Sequence, residues 1–170
     1  MNIAFIDGQN LNLGTIEDGW KVSHQKLRIY LRDKYNVGIA FYFIGYYSNK
    51  YADLYSNLVR SEYSLVYREN SDEINKVNKG NVDVDIVFEI MKQIVENLEF
   101  EKAVLISGDG DFIKIVKYLV TKDKFEKILF PNTIFYSALY NCLGSEYFDF
   151  LKNAKSNIEY IMPDINEKGS

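Results

Sequence analysis

The sequence runs Leu-Ile-Ser-Gly-Asp-Gly-Asp-Phe over residues 105–112, where an apolar segment ends in an acidic turn. The mainly apolar residues 102–106 predict a short buried strand, and the Gly- and Asp-rich residues after them predict a tight turn. Residues 2–6 show the same pattern, because an apolar run ends there at Asp7. In doubly wound parallel sheets, ligands bind beyond the carboxyl ends of the strands. The two acidic turns therefore predict a site at such an edge.

Strand-like and helix-like segments alternate along the rest of the chain. This alternation predicts an α/β domain of three layers, with a mainly parallel central sheet and helices on both faces. With the strand order 3-2-1-4-5, the first and fourth strands are neighbours, and both acidic turns face one cleft. Residues after Pro131 are expected to form helix and tail. The other expected strands are 39–47, 64–68 and 127–130, and the expected helices are 23–35, 49–61, 82–98 and 112–122.

Length and composition favour one folded domain. Of the 170 residues, 47% are hydrophobic and 26% are charged, which is typical of a globular chain. We expect the domain to span residues 1–162, with a polar loop at 69–81 and a flexible C-terminal tail at 163–170. No apolar run approaches the roughly 20 residues of a membrane span. The N-terminus lacks signal-peptide features and there is one cysteine, so we expect a cytoplasmic protein that does not contact membranes.

The net charge of −4 excludes a globally basic nucleic-acid binder. It does not exclude a nucleic-acid substrate, since an enzyme that holds Mg²⁺ must carry carboxylates and the ion then supplies local positive charge. The 14 tyrosines and 11 phenylalanines offer stacking surfaces, although most are expected in the core.

The expected helix 82–98 supplies a further acidic residue. Asp83 leads directly into the apolar stripe of this helix, where a carboxylate needs a partner. Asp85 and Glu89 are four residues apart and are predicted on the opposite, solvated face, so we favour Asp83 for the site. The stripe comprises Ile86, Val87, Ile90, Met91 and Ile94.

Three separate segments thus bring acidic residues to one predicted edge of the sheet. Each aspartate alone is more often a turn former or a helix cap. Together they indicate a metal site, because clustered carboxylates raise one another's pKa unless a cation binds. Hard oxygen ligands select Mg²⁺ or Mn²⁺. The four acidic residues are Asp7, Asp83, Asp109 and Asp111.

Three motifs resemble the signatures of the NYN domain, LabA/DUF88 branch, in the PIN-like nuclease superfamily. They are Ile-Asp-Gly-Gln-Asn-Leu at 6–11, Lys-Gly-Asn-Val-Asp-Val-Asp-Ile at 79–86 and Ser-Gly-Asp-Gly-Asp-Phe at 107–112. The resemblance covers roughly residues 1–150 and implies that the four aspartates occupy the metal-site positions of the family. It also implies that Asn10 supports the site. Glu89 departs from the pattern, since the family has an aspartate there.

These observations predict a metal-dependent ribonuclease that hydrolyses phosphodiester bonds of RNA, expected to be single-stranded. Asp7 and Asp109 are the expected direct ligands of Mg²⁺ or Mn²⁺, and Asp83 and Asp111 are expected to bind directly or through water. A homodimer is compatible with the sequence. The residues expected to orient ligands or contact substrate are Asn10, Ser107, Asp85, Glu89, Lys76 and Lys79.

Two alternative functions remain open at this stage. One is a nucleic-acid-binding or protein-binding module that keeps the acidic cleft without turnover. The other is an aspartate-dependent phosphatase of another α/β type, against which the lack of an Asp-x-Asp motif at Asp7 argues. His24, the single histidine, is expected to be solvated, and Cys142 is expected to be a small apolar core residue.

Lys76 and Lys79 are either ordinary solvated lysines or phosphate contacts. If they contact phosphates, replacing both with alanine weakens RNA binding and flattens its salt dependence, because phosphate contacts release counterions. Fluorescence anisotropy with a labelled RNA across a series of KCl concentrations measures this slope. A slope equal to that of the wild type would identify both as ordinary surface residues.

Overall fold

The structure, a computed structural model, describes residues 1–68, 82–97 and 99–162. The expected loop at 69–81, with Lys76 and Lys79, and the expected tail at 163–170 lie outside these residues. The described chain forms a six-stranded sheet in the order β3-β2-β1-β4-β5-β6, and every pair of neighbouring strands is parallel.

Helices follow most strands, as the sequence predicts. The strands are β1 (Asn2–Asp7), β2 (Val37–Tyr46), β3 (Ser64–Arg68), β4 (Ala103–Ile106), β5 (Phe125–Phe130) and β6 (Phe148–Phe150). The helices are α1 (Gly8–Glu17), α2 (His24–Tyr35), α3 (Ala52–Arg60), α4 (Val82–Glu96), α5 (Ile113–Thr121) and α6 (Lys155–Ile158). Short 3₁₀ turns connect several of them. Within the described ranges, none of the helices is both long and apolar enough to cross a bilayer.

The sheet is covered on both faces, which explains why its central strands are apolar throughout. All six residues of β1 are buried. Because successive side chains of a strand point to opposite faces, Ile6 packs in one core with residues of α1 and α2, while Phe5 packs in a second core with residues of α4 and α5. The prediction of a three-layer α/β fold with helices on both faces is confirmed.

Strand β1 lies at the centre of the sheet, between β2 and β4. The chain builds β1, β2 and β3 outward to one edge and then crosses over to β4 on the other side of β1. Ile6 pairs with Ile106, so the residues that follow the two strands, Asp7 and Ser107, emerge side by side. The structure thus confirms the strand order on which the convergence of the two turns depends.

Helix α1 is the main element that the sequence pattern does not predict. Its sequence contains Gly8 and Gly14, which are poor helix formers. Packing requires both: a Cβ at Gly8 would lie 2.7 Å from the carbonyl oxygen of Phe43, and one at Gly14 would lie 2.7 Å from the ring of Pro131. Close tertiary contacts therefore require glycine at two positions of α1. The low helix propensity of glycine is the reason why the sequence pattern does not predict this helix.

The C-terminal part also differs from the expectation of helix and tail. After β5 the chain forms 3₁₀ turns and the short edge strand β6, and its α-helix is limited to the four residues of α6. Cys142 is exposed at the end of one such turn, where its thiol donates to the carbonyl oxygen of Leu139. The expectation that Cys142 is a core residue is wrong, because Cys142 is exposed on a turn that places Tyr140 in the core instead.

His24 is not the solvated residue that the sequence suggests. Its Nε2 lies 3.2 Å from the hydroxyl of Tyr42, which is buried and also accepts a hydrogen bond from the Asn12 side chain at 3.1 Å. The His24 ring packs edge-on against the Tyr42 ring. Burial and, to a smaller degree, the charge of Lys21 together lower the pKa of His24 to about 4.

This low pKa predicts a pH-dependent stability. In the folded state the pKa of His24 is below its unfolded value of 6.5. Between about pH 4 and 6.5 the folded protein therefore binds fewer protons than the unfolded chain. The stability present above about pH 6.5 is lost as the pH falls towards about 4, by on the order of 2–3 kcal/mol. Urea unfolding across this range should show a flatter pH profile for His24→Gln than for the wild type. Parallel profiles would contradict the buried, neutral histidine.

Candidate metal centre

Asp7 stands at the point where β1 becomes α1. Its Oδ1 accepts a hydrogen bond from the backbone N–H of Asn10 at 3.0 Å, so its side chain caps the helix. Asp7 is 8% exposed. Burial is the main reason why its pKa is raised, and the negative charge of Asp109 raises it further. The fold therefore disfavours the charged form of this carboxylate relative to a free aspartate.

Two hydrogen-bonded links join the turn after β1 to the turn after β4. The side-chain Oδ1 of Asn10 accepts from the backbone N–H of Gly108 at 2.7 Å. The buried hydroxyl of Ser107 donates to Oδ2 of Asp7 at 3.4 Å and accepts from the backbone N–H of Asp109 at 3.1 Å. Asn10 and Ser107 thus fix the relative positions of the two acidic turns, which agrees with the supporting role expected for them.

The turn after β4 directs two carboxylates to the same place. Oδ1 of Asp109 accepts from the backbone N–H of Asp111 at 2.9 Å, and Asp109 caps the short 3₁₀ turn that leads into α5. The hydroxyl of Tyr140 donates to the carbonyl oxygen of Asp109. Gly110 is required here because a Cβ would overlap the side chain of Ser137.

The first turn of α4 brings Asp83 to this point. Carboxylate oxygens of Asp83, Asp109 and Asp111 all lie within 4.8 Å of one another. Their charges, together with burial, raise the pKa of Tyr140, which therefore stays protonated as a donor. Three of the four predicted acidic residues thus converge closely, and they come from two elements that are distant in sequence.

Asp7 lines one cleft together with Asp83 and Asp109 of this group. The cleft has a volume of about 490 Å³ and opens at the carboxyl edge of the sheet. Within the described part of the chain, the ion pairs do not involve Asp7, Asp109 or Asp111. The cleft is lined by Asp7, Gln9, Asn10, Leu13, Gly14, Glu17, Val82, Asp83, Asp109 and Phe135.

The other two acidic residues of α4 do not join the cluster. Asp85 is half-buried and does not line the cleft. The side chain of Glu89 is only 13% exposed, accepts a hydrogen bond from Gln93 at 2.7 Å and lies 3.9 Å from Lys92. The prediction of a solvated position is therefore wrong for Glu89. The exposed residues of α4 are the apolar Val84, Phe88 and Val95 together with the charged Lys92 and Glu96.

Six residues that line the cleft are not proposed from the sequence, namely Gln9, Leu13, Gly14, Glu17, Val82 and Phe135. Gln9, Leu13 and Glu17 recur every four residues along α1, so they share the helix face that borders the carboxylates. Their spacing is the one signal that would have identified them. Phe135 comes from the irregular segment after β5 and is 69% exposed on the rim. No local pattern marks it.

Sheet topology and acidic edge together define the class of the protein, an α/β domain of the PIN-like type. A family model named NYN domain matches residues 3–143, so the chain belongs to the NYN domain family, within the PIN-like nuclease superfamily. The fold is similar to that of a protein of unknown function from Vibrio parahaemolyticus RIMD 2210633. The TM-score is 0.73 at 17% identity, over 93% of this chain and 94% of that one. A search of curated proteins gives no match.

The raised pKa of Asp7 predicts that its charge destabilises the metal-free protein. The folded state favours protonated Asp7, so stability falls as the pH rises through the folded pKa and is lowest with respect to this group at neutral pH. Asparagine caps helices about as well and carries no charge. In EDTA at neutral pH, Asp7→Asn should raise the melting temperature by a few degrees, measured by circular dichroism.

Asp123→Asn is the matched control, because the carboxylate of Asp123 is exposed and pairs with Lys102 at 2.8 Å, which lowers its pKa. Removing this charge should leave the melting temperature unchanged or slightly lower. A lower melting temperature for Asp7→Asn would mean that its carboxylate acts only as a helix cap.

Proposed function

We propose that this chain is a metal-dependent ribonuclease that hydrolyses phosphodiester bonds in single-stranded RNA. The observation that carries the proposal is the convergence of three carboxylates within 4.8 Å at the carboxyl edge of the sheet of an NYN domain. Membership of this family makes a nuclease activity and a nucleic-acid substrate the expected chemistry. We further propose that the chain belongs to the LabA/DUF88 branch and acts in the cytoplasm.

The donor set fits a hard divalent cation. Asp83, Asp109 and Asp111 offer carboxylate oxygens close enough to share one ion, and Mg²⁺ and Mn²⁺ prefer such ligands. Asp7 is the fourth acidic group of the proposed site. Its contact with Ser107 is long at 3.4 Å, which leaves Oδ2 able to bind a cation as well.

Bound Mg²⁺ or Mn²⁺ would activate water and stabilise charge on the phosphate. The residues of the chain hold the carboxylates in place for this role. Asn10 and Ser107 fix the two turns, and Tyr140 fixes the backbone at Asp109. In this proposal Asp85 and Glu89 act only around the site, because neither belongs to the converging group.

The matched variants Asp109→Asn and Asp85→Asn test the proposed chemistry. Each removes one carboxylate charge with almost no change in shape, but Asp109 belongs to the cluster and Asp85 does not. Asp109→Asn should remove most cleavage of a labelled RNA in Mn²⁺, by on the order of a hundredfold or more. Asp85→Asn should retain most of it. Equal losses in the two variants would refute the assignment of the cluster as the active site.

Metal binding has a separate readout. Mn²⁺ should raise the melting temperature of the wild type, because it binds the folded state, and should raise that of Asp109→Asn much less. A thermal shift with RNA binding but without cleavage would support the non-catalytic binding module instead. Hydrolysis of phosphomonoesters in preference to RNA would support the phosphatase alternative. A homodimer stays a prediction, which light scattering after gel filtration checks.

A further inference from the structure

A second groove lies along α1, next to the acidic cleft. It has a volume of about 580 Å³ and runs between α1, the carboxyl end of β2 and the start of α3. Gln9 and Leu13 line both the cleft and the groove, so the two depressions meet across the N-terminal part of α1. The lining of the groove includes Tyr42, Tyr46, Tyr51 and Tyr55.

The chemistry of this groove is the opposite of that of the cleft. Its lining contains four tyrosines and, among the described residues, no aspartate or glutamate. The cleft, in contrast, is lined by three aspartates and one glutamate. A ligand that spans both depressions would therefore contact carboxylates in the cleft and tyrosine rings in the groove.

Two of the groove tyrosines, Tyr51 and Tyr55, belong to a connected cluster of rings. The Tyr55 ring lies 6.4 Å from that of Tyr51, and 5.3 Å and 5.5 Å from those of Tyr47 and Tyr67 outside the groove, measured between ring centroids. Tyr55 is buried, whereas Tyr51 is 47% exposed. The Tyr51 ring is therefore held by its neighbour and still accessible, so stacking a flat ligand on it costs little conformational entropy.

Two cationic side chains lie close to the rings of groove tyrosines. The Nζ of Lys50 lies 5.5 Å from the centre of the Tyr51 ring, and the guanidinium of Arg68 lies 5.9 Å from that of Tyr46. Neither cation takes part in the ion pairs found in the described ranges. Lys50 is exposed, whereas Nη1 of Arg68 is buried. The Lys50 ammonium beside Tyr51 is therefore the group placed to contact a phosphate oxygen.

We propose that this groove binds the bases of single-stranded RNA next to the phosphodiester that lies in the acidic cleft. The inference rests on the proposed function, since it assumes that the phosphodiester to be cleaved lies in the acidic cleft. Exposed aromatic rings with nearby cations are the surface that single strands use, because unpaired bases stack on the rings while their phosphates contact the cations. Paired bases in a duplex are not available for such stacking.

The test measures binding, not cleavage, and uses a fluorescein-labelled 12-nucleotide uridine RNA in Ca²⁺ buffer free of Mg²⁺ and Mn²⁺. Gel electrophoresis checks that the RNA stays intact. Tyr51→Ala should weaken binding about 5- to 100-fold, the range expected for the loss of one stacked base. Tyr51→Phe keeps the ring and should keep wild-type affinity. Circular dichroism checks that both variants fold.

Tyr118→Ala is the matched control. Tyr118 is also an exposed tyrosine with a lysine above its ring, with Lys122 Nζ at 5.7 Å, but it lies on α5 and lines neither the cleft nor the groove. Its replacement should leave binding unchanged. If Tyr51→Ala and Tyr118→Ala bind the RNA equally well, the groove is not a base-binding site.

Two further probes separate bases from backbone. An abasic oligomer of the same length should bind the wild type weakly and should not respond to Tyr51→Ala, whereas an equal loss with both oligomers would overturn the stacking argument. Tighter binding of duplex RNA, or equal binding of DNA with the equivalent sequence, would overturn the assignment to single-stranded RNA. A peptide-binding groove would show no RNA effect of Tyr51→Ala at all.

The outcome for the groove is distinguishable from that for the nuclease. RNA binding that depends on Tyr51, without any cleavage in Mn²⁺, would support the groove and refute the proposed catalysis. Cleavage in Mn²⁺ that depends on Asp109, with RNA binding that does not depend on Tyr51, would refute the groove and support the catalysis.

Discussion

The parallel pairing of β1 with β4 is the interaction on which the rest of the structure depends. These strands are adjacent in the sheet although about a hundred residues separate them in the chain, and the register Ile6 to Ile106 sets both of their ends at one level. Asp7 and Ser107 consequently leave the sheet together and contact each other. A shift in this register would separate the two turns and move their side chains to other faces.

This pairing brings together groups that repel one another, and the protein restrains them with hydrogen bonds from neutral groups. Asp7 accepts from a backbone N–H and a hydroxyl, and Asp109 accepts from another backbone N–H. Such partners orient carboxylates but do not cancel their charge. Burial, and to a smaller degree the charge of Asp109, raises the pKa of Asp7. Carboxylates that are held together in this way are stabilised by any cation that binds beside them.

Much of this arrangement was accessible from the sequence, for a physical reason. Buried parallel strands are continuous apolar runs, so β1 and β4 are visible, and the acidic turns directly follow them. The helical repeat of apolar residues in α4 indicates that Asp83 lies on the side of the helix that faces the sheet. The failures concern contacts that no local pattern encodes. Glu89 is covered through its interactions with Gln93 and Lys92, and Phe135 reaches the cleft from an irregular segment.

Helix α1 shows most clearly why local sequence patterns do not predict all of the residues around the site. Its glycines lower its helix propensity, yet they allow the close approach of Phe43 and Pro131 that seats the helix on the sheet. This packing places Asn10 in contact with Gly108, and Gln9 and Leu13 in the lining of both depressions. A residue with a side chain at either glycine would favour the isolated helix but would clash with Phe43 or Pro131. The residues that weaken α1 as a helix are therefore the ones that allow it to join the carboxylates to the tyrosine-lined groove.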